Sequence, residues 1–202
     1  MWWRPARRGR LRARRGSAGL RPSVWFVAVP QTLDECGVLT NMVRLWGRSP
    51  RGTRAYGTVP CGHWQRLTVL GALGIGGMLA TMSIEAATSG AVFLAYLDQV
   101  LLPELRRTKP DAVLVLGNLR AHKTATVRKL LDRSGFRYRY LPAYSPDLSP
   151  IEPAWAKLKA ELRRIAARSA EALHQALRPA LDTITAQDAA GFFRHAGYSR
   201  PN

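Results

Sequence analysis

Cysteine is scarce in this sequence, since only Cys36 and Cys61 occur among 202 residues. The two are far apart, and neither belongs to a pattern of paired cysteines and histidines with the spacing of a zinc site. Small secreted domains depend on several disulfides, and this chain has too few cysteines for such a framework. We therefore interpret both residues as reduced thiols of a cytosolic protein.

Acidic residues are also few, because 13 Asp and Glu stand against 31 Lys and Arg. The formal net charge is +18 and the isoelectric point is about 11.3. A surface this positive attracts polyanions, and nucleic acid is the partner that the charge favours. An anionic membrane surface is the weaker alternative.

The first 22 residues contain eight arginines and no acid. They lack the apolar run of roughly 7 or more residues that a secretory signal needs. Their apolar content is too low to offset the entropy of ordering. We predict a disordered basic arm over residues 1–22 that lies on DNA phosphates. The alternative is an accidental start on a truncated or frame-disrupted gene.

Charged residues are absent from residues 67–84, a run of 18. That length would suit a membrane span. However, Gly74, Gly76 and Gly77 divide the run, and the segments on either side, LTVLGAL and MLATMSI, are rich in strand-forming residues. An antiparallel hairpin turning at GIGG is therefore predicted in place of a span. Ser89 is predicted to cap the helix that follows, through about Leu105.

The strand before this hairpin is harder to place. Val24–Val29 has the composition of a strand, but Pro30 follows it, and central strands disfavour proline. We expect an irregular first strand, interrupted ahead of the acidic pair Asp34-Glu35.

Strand and helix patterns alternate from residue 112 to residue 165. Ala112–Leu116 is predicted as a buried strand with Gly117-Asn118 at its carboxyl end, where sites in α/β proteins usually lie. A basic helix and the alternating strand Phe136–Leu141 come next. Ser149 is then predicted as the N-cap of a capping box that places Glu152 in the first turn of a helix. Residues 169–196 add two more short helices, the second capped by Thr185.

Residues 41–56 have the composition of a loop in which arginines alternate with aromatic residues. Guanidinium groups can contact phosphates while rings stack on bases, so this segment is a candidate nucleic-acid contact. The alternative is a solvated loop whose tryptophan plugs the core. The candidate residues are Arg44, Trp46, Arg48, Arg51 and Arg54.

Several motifs in one order resemble a known family. LDECGV, NMVRLWGRSPRG, GHW, HK, YSPDLSPIEPAWAKLK and FFRHAGY together resemble a bacterial insertion-sequence transposase of the Tc/mariner superfamily, over roughly residues 33–198. The resemblance implies a ribonuclease H-like α/β fold, with a mixed five-stranded sheet flanked by helices and a C-terminal helical extension. It also implies DNA cleavage and joining by three carboxylates that hold two Mg²⁺ or Mn²⁺ ions.

By position, the resemblance implies Asp34 as the first carboxylate and Glu152 as the third. The second aspartate position falls on Gly117, with 34 intervening residues before Glu152, the separation that this family uses. Loss of the second carboxylate implies reduced activity. Glu152 could instead serve only its capping box, and Asp34-Glu35 could be a surface acidic pair.

Further roles follow from the resemblance. Glu35 and Asn118 are expected to orient the metal-binding carboxylates without binding metal themselves. Asn118 could instead simply take a left-handed turn conformation. His122, Lys123 and Lys157 are expected to contact DNA, and an ordinary structural role is the alternative for His122.

The length suits one domain with short tails. We predict a basic arm at 1–22, a catalytic domain at 23–168 and a helical extension at 169–202. The expected partners are double-stranded DNA, further copies of the chain and a separately encoded helix-turn-helix part, in a bacterial cytoplasm with no membrane association. A non-catalytic DNA-binding remnant, or a partner subunit of an active transposase, is the alternative function. A gene fragment without function is the third possibility.

Overall fold

Five strands form the centre of the molecule in the computed structural model, which describes residues 30–198. The strand order across the sheet is β3-β2-β1-β4-β5. β1 pairs antiparallel with β2 and parallel with β4, so the sheet is mixed. The strands are β1 (Pro30–Leu39), β2 (Arg66–Gly74), β3 (Gly77–Ile84), β4 (Val113–Leu116) and β5 (Arg137–Tyr140).

Helices pack on both faces of this sheet. A π-helical turn, Leu97–Leu101, joins the first two, and two 3₁₀ turns, Arg120–Lys123 and Pro146–Leu148, flank the third and its following strand. The helices are α1 (Gly90–Tyr96), α2 (Leu102–Thr108), α3 (Ala125–Arg133), α4 (Ile151–Ile165), α5 (Ala170–Asp182) and α6 (Ala186–His195). Ser89 and Thr185 cap α1 and α6 as predicted.

The hydrophobic core divides into two layers, one on each face of the sheet. On one face, α4, α5 and α6 pack on β1 and β2 around buried Trp155 and Phe193. On the other face, α1, α2 and α3 pack on the sheet around buried Phe93 and Tyr96. This mixed five-stranded sheet, covered by helices on both faces, is the predicted architecture.

Pro30 begins β1 instead of interrupting it. Proline is tolerated at the first residue of a strand, where the missing N–H breaks no internal ladder bond. Pro30 pairs with Val113 of β4, and the strand continues in register past Asp34, whose partner in β2 is Gly71. From Pro30 onward, no interruption separates the strand from the acidic pair, and Asp34 is held in mid-strand. Val24–Val29 lies outside the described residues.

The charge-free run is a β-hairpin, as predicted. β2 and β3 pair antiparallel and turn through the glycine-rich tetrad, where Gly77 takes a φ of 114° that suits glycine. Across the part of the chain that the structure describes, no helix is long and apolar enough to span a bilayer.

The predicted capping box before α4 is not formed. The helix begins at Ile151, Pro150 occupies the N-cap position, and no side chain caps it. The 3₁₀ turn at Pro146–Leu148 runs directly into this helix, and the main-chain carbonyl of Ser149 accepts the N–H of Glu152 at 3.2 Å. Backbone geometry therefore replaces the side-chain cap, and Glu152 still lies in the first turn.

Close packing at Gly71 sets how near α4 lies to the sheet. A Cβ atom at Gly71 would stand 3.0 Å from Cη2 of Trp155 and 2.9 Å from Cε of Met78. Trp155 lies one helical turn after Glu152, and Gly71 is the cross-strand partner of Asp34. The absence of a side chain at Gly71 thus brings the two acidic positions towards each other.

Gly71→Ala should therefore destabilise the protein by about 1–3 kcal/mol, the usual cost of overpacking a dense core. Urea unfolding followed by circular dichroism measures this cost. Gly76→Ala is the matched control, because a Cβ at Gly76 meets no atom within 4 Å. Equal midpoints for the two variants would show that α4 accommodates the extra methyl group freely.

Candidate active site

The carboxyl end of β4 lies beside the middle of β1, which brings Asp34 and Gly117 together. Leu33 pairs with Leu116, and the N–H of Gly117 donates to the carbonyl of Leu33 at 3.3 Å. A Cβ atom at Gly117 would stand 3.3 Å from Oδ1 of Asp34. A side chain at residue 117 would therefore point at the Asp34 carboxylate.

A cleft of about 510 Å³ opens at this edge of the sheet. Five of the positions singled out in the sequence line it together: Asp34, Glu35, Gly117, Asn118 and Glu152. They come from β1, the loop after β4 and the first turn of α4. The fold thus gathers acidic positions that are distant in sequence around one space.

Asp34 is held in an environment that disfavours its charge. Burial raises the pKa of its carboxyl to about 7, and the nearby carboxylates of Glu35 and Glu152 push it in the same direction. The Glu35 N–H, which donates to Oδ1 of Asp34 at 2.9 Å, and the nearby His122 oppose this rise in pKa. Acidic side chains concentrated in this way suit a bound cation, which would favour their ionised forms.

His122 bridges β1 and the loop after β4 from inside the protein. Its Nε2 lies 2.8 Å from Oε2 of Glu35, its Nδ1 lies 3.1 Å from the carbonyl of Gly117, and its ring stacks on Phe93 at a centroid distance of 4.0 Å. Burial acts to lower the pKa of His122, but the hydrogen bond and charge of Glu35 act against it, and the net shift is upward. This bridge fixes both sides of the cleft.

His122 was expected to contact DNA, but it lies inside the protein. Its side chain is fully buried and both ring nitrogens are engaged within the protein, which corresponds to the structural alternative. Lys123 lies nearer the surface, where it bonds the side-chain carbonyl of Asn118. Asn118 in turn donates to the carbonyl of Leu141 at 2.8 Å, and its backbone is not left-handed. The turn interpretation of Asn118 is therefore wrong.

The other expected DNA contacts lie away from the cleft. Arg44, Trp46, Arg48, Arg51 and Arg54 are all exposed in the loop between β1 and β2. Trp46 is 90% exposed, so the alternative in which it plugs the core is wrong.

Lys157 lies on α4, and its ammonium group pairs with Asp188 of α6 at 2.5 Å. The ion pair links the helical extension to the helix that carries Glu152. Both side chains of the pair are about one-third exposed.

Several residues that line the cleft were not predicted as site residues, and Leu119, Arg120 and Tyr144 are among them. Tyr144 is fully exposed and adopts a left-handed φ of 56°, a conformation that often marks functional loops. Tyr144 begins the motif YSPDLSPIEPAWAKLK, but a sequence motif does not reveal a strained backbone. Arg120 could have been found, because it follows Asn118 closely at the strand end.

The donor set suits one hard divalent cation better than two. Carboxylate oxygens of Asp34 and Glu152 are the ligands that Mg²⁺ and Mn²⁺ prefer, with water filling the remaining positions. Asp34, Glu35 and His122 have ligand atoms within 4.8 Å of one another, but Glu35 and His122 already bond each other. Gly117 supplies no side-chain oxygen to bridge a second ion.

A mixed five-stranded sheet flanked by helices, with acidic residues of β1 and α4 lining one cleft beyond the end of β4, is a ribonuclease H-like fold. The sequence profile described as DDE superfamily endonuclease matches residues 31–174. The chain belongs to this family. No curated protein sequence matches the chain at a significant level.

Solved structures of Mos1 mariner transposase share the fold. A paired-end complex with the left transposon end superposes with a TM-score of 0.70 at 16% identity, covering 83% of this chain and 52% of that one. A catalytic domain with Raltegravir and Mg superposes with a TM-score of 0.62 at 16% identity, covering 85% and 80%. The chain therefore spans about half the length of the transposase in the paired-end complex.

Proposed function

We propose that this chain is the catalytic domain of a transposase that cuts and joins DNA at the ends of a mobile element, and that Gly117 leaves this activity strongly reduced. The observation that carries the proposal is the shared cleft, in which Asp34 and Glu152 face the strand end at Gly117. Family membership and the Mos1-like fold support it.

In this proposal two acidic residues of the cleft bind metal and the third does not. Asp34 and Glu152 would together hold one Mg²⁺ or Mn²⁺ ion, which polarises the scissile phosphate when bound. Glu35 and Asn118 position the cleft without binding metal: Glu35 engages His122, and Asn118 joins the loop after β4 to Leu141. Lys123 lies beside Asn118 and provides a positive charge for a phosphate near the cleft.

The partner in this proposal is double-stranded DNA at transposon ends. The +18 charge and the exposed arginines of residues 41–56 supply sequence-independent attraction to phosphates. The solved relatives include Mos1 transposase bound to transposon ends and in a strand transfer complex. We further propose that copies of the chain assemble on DNA, that a separately encoded helix-turn-helix part recognises the ends, and that the protein acts at a bacterial insertion sequence in the nucleoid.

The catalytic proposal predicts slow nicking of the element's own end sequences in Mn²⁺ that stops when the ion is chelated. Glu152→Gln should reduce this nicking below detection, because an amide is a much poorer ligand for a hard cation. Gel analysis of end-labelled DNA measures it. Glu161→Gln is the matched control on the same helix, since Glu161 instead pairs with Arg164.

A second function is favoured by one specific observation, the missing carboxylate at Gly117. It is a non-catalytic DNA-binding protein that pairs with active transposase subunits. Nicking that is equal in the wild type and in Glu152→Gln would contradict the catalytic proposal. Inhibition of an active relative, together with an absence of nicking, would support the non-catalytic function, whereas neither activity would indicate a gene fragment.

A further inference from the structure

A second groove, of about 700 Å³, runs along the free edge of the sheet between α3 and β5. It is separate from the catalytic cleft, and of its lining residues only Lys123 was expected to contact DNA. Four cationic side chains line it: Lys123, Arg128, Arg137 and Arg139. Their charge makes the groove a candidate site for an anionic polymer.

The single acid in this groove does little to offset that charge. Asp132 is its only carboxylate, against the four cations, and its Oδ1 accepts the hydroxyl of Tyr138 at 2.6 Å. The exposed Lys129 and Arg133 extend the positive surface along α3. A phosphate chain in the groove would therefore meet net attraction over its whole length.

Two tyrosines give the groove a fixed shape. The hydroxyl of Tyr140 donates to the carbonyl of His122 at 2.8 Å, which complements the bond from Tyr138 to Asp132. The two rings meet edge to face with centroids 5.8 Å apart. Because both hydroxyl groups are engaged, the walls are already ordered before any ligand binds, which lowers the entropic cost of binding.

Lys123 connects this groove to the catalytic cleft. Its ammonium group lies 5.4 Å from the centre of the Tyr140 ring in the groove. The same ammonium group bonds the side chain of Asn118, which lines the cleft. Lys123 therefore places a positive charge between the cleft and the groove.

Edge protection is the simpler explanation for Arg137 and Arg139, because charged residues on edge strands discourage pairing with other chains. That explanation accounts for the two arginines of β5. It does not account for Lys123 and Arg128, which line the same groove from the 3₁₀ turn and α3, or for the bond from Lys123 to Asn118 of the cleft.

We propose that this groove binds the phosphate backbone of the DNA segment that leaves the catalytic cleft. The inference rests on the proposed function, since it takes DNA as the substrate, and it adds a contact surface separate from residues 41–56. Arg137 and Arg139 would each contact a phosphate.

The test compares two double variants with the same change in net charge. Arg137→Ala/Arg139→Ala removes two cations from the groove, whereas Arg178→Ala/Arg194→Ala removes two exposed cations from α5 and α6, which pack near β3 at the opposite edge. Fluorescence anisotropy with a labelled DNA duplex gives the affinity of the full chain at several salt concentrations. Circular dichroism confirms that each variant is folded.

The groove variant should lose about 0.9 of the salt slope for each phosphate contact, or about 1.8 in all. A fourfold rise in salt then weakens its binding about tenfold less than it weakens wild-type binding. The control pair should keep a slope close to the wild type. Arg137→Lys/Arg139→Lys should also keep it, because the charge remains.

An equal loss of salt slope in both alanine variants would overturn the proposal that the groove binds DNA, since net charge alone would then explain the effect. DNA binding by the chain as a whole would still stand. Loss of slope in the lysine pair would overturn it as well, because the cause would be structural. If the wild type fails to bind DNA at low salt, the proposed function and the groove both fail.

Discussion

Gly117→Asp is expected to raise the rate of metal-dependent strand cleavage about a hundredfold or more, because a metal ion held there contributes several kcal/mol of transition-state stabilisation and each ~1.4 kcal/mol is tenfold in rate. Gly117 follows β4, and a side chain at this position would point towards Asp34. An aspartate there would add the oxygen donor that the cleft lacks for a second ion.

The surroundings of Gly117 allow this substitution with small adjustments. A Cβ atom would lie 3.3 Å from Oδ1 of Asp34 and 3.4 Å from Cε1 of His122, so the end of the Asp34 side chain must shift slightly. The backbone at Gly117 is not left-handed, so a side chain brings no backbone strain. The added negative charge beside Asp34 costs energy until a cation binds.

The assay uses a high concentration of transposon-end DNA, with Mn²⁺ as well as Mg²⁺, so that weak DNA or metal binding does not hide the gain. Gly117→Asn is the matched control, since it has nearly the same shape without the charge. Glu152→Gln in the Gly117→Asp background should abolish the gain. A wild type that cleaves as fast as Gly117→Asp, with Glu152→Gln abolishing both, would show that the site functions without a second aspartate.

Local patterns predicted most of the fold because each element carries its own signal. The segment GIGG, residues 74–77, separates two strand-forming segments, and it forms the β2–β3 turn. Periodicity predicted the helices from Ser89 onward, and Thr185 caps α6 as expected. Pro30 misled the prediction because proline is tolerated at the first residue of a strand, and sequence alone does not show where the strand begins.

The candidate site was predictable only in part, because its positions depend on tertiary contacts. Spacing and resemblance predicted Asp34, Gly117 and Glu152 as one site, and all three positions line the same cleft. The pairing of Glu35 with His122 has no local signal, since 87 positions separate the two residues. The position of Trp46 also has no local signal, because composition does not show whether a tryptophan is buried in the core or exposed on the surface. In the structure its side chain is exposed.

His122→Ala is expected to lower the free energy of unfolding by about 3–5 kcal/mol, the usual cost of removing one partner of a buried pair. The His122 side chain is fully buried and that of Glu35 is 14% exposed, so the Glu35 carboxylate would lose its partner in a poorly solvated place. Loss of the ring also removes the stack on Phe93. His63→Ala, in an exposed loop, should change stability by less than about 0.5 kcal/mol.

A double-mutant cycle with Glu35→Gln separates the energy of the His122–Glu35 interaction from the cost of the cavity that His122→Ala leaves. In the Glu35→Gln background a neutral amide replaces the stranded carboxylate, so His122→Ala should cost about 1–3 kcal/mol less there. Chemical denaturation of the four proteins gives this coupling directly. Strictly additive losses would mean that packing against Phe93, and not the bond to Glu35, accounts for the whole contribution of His122.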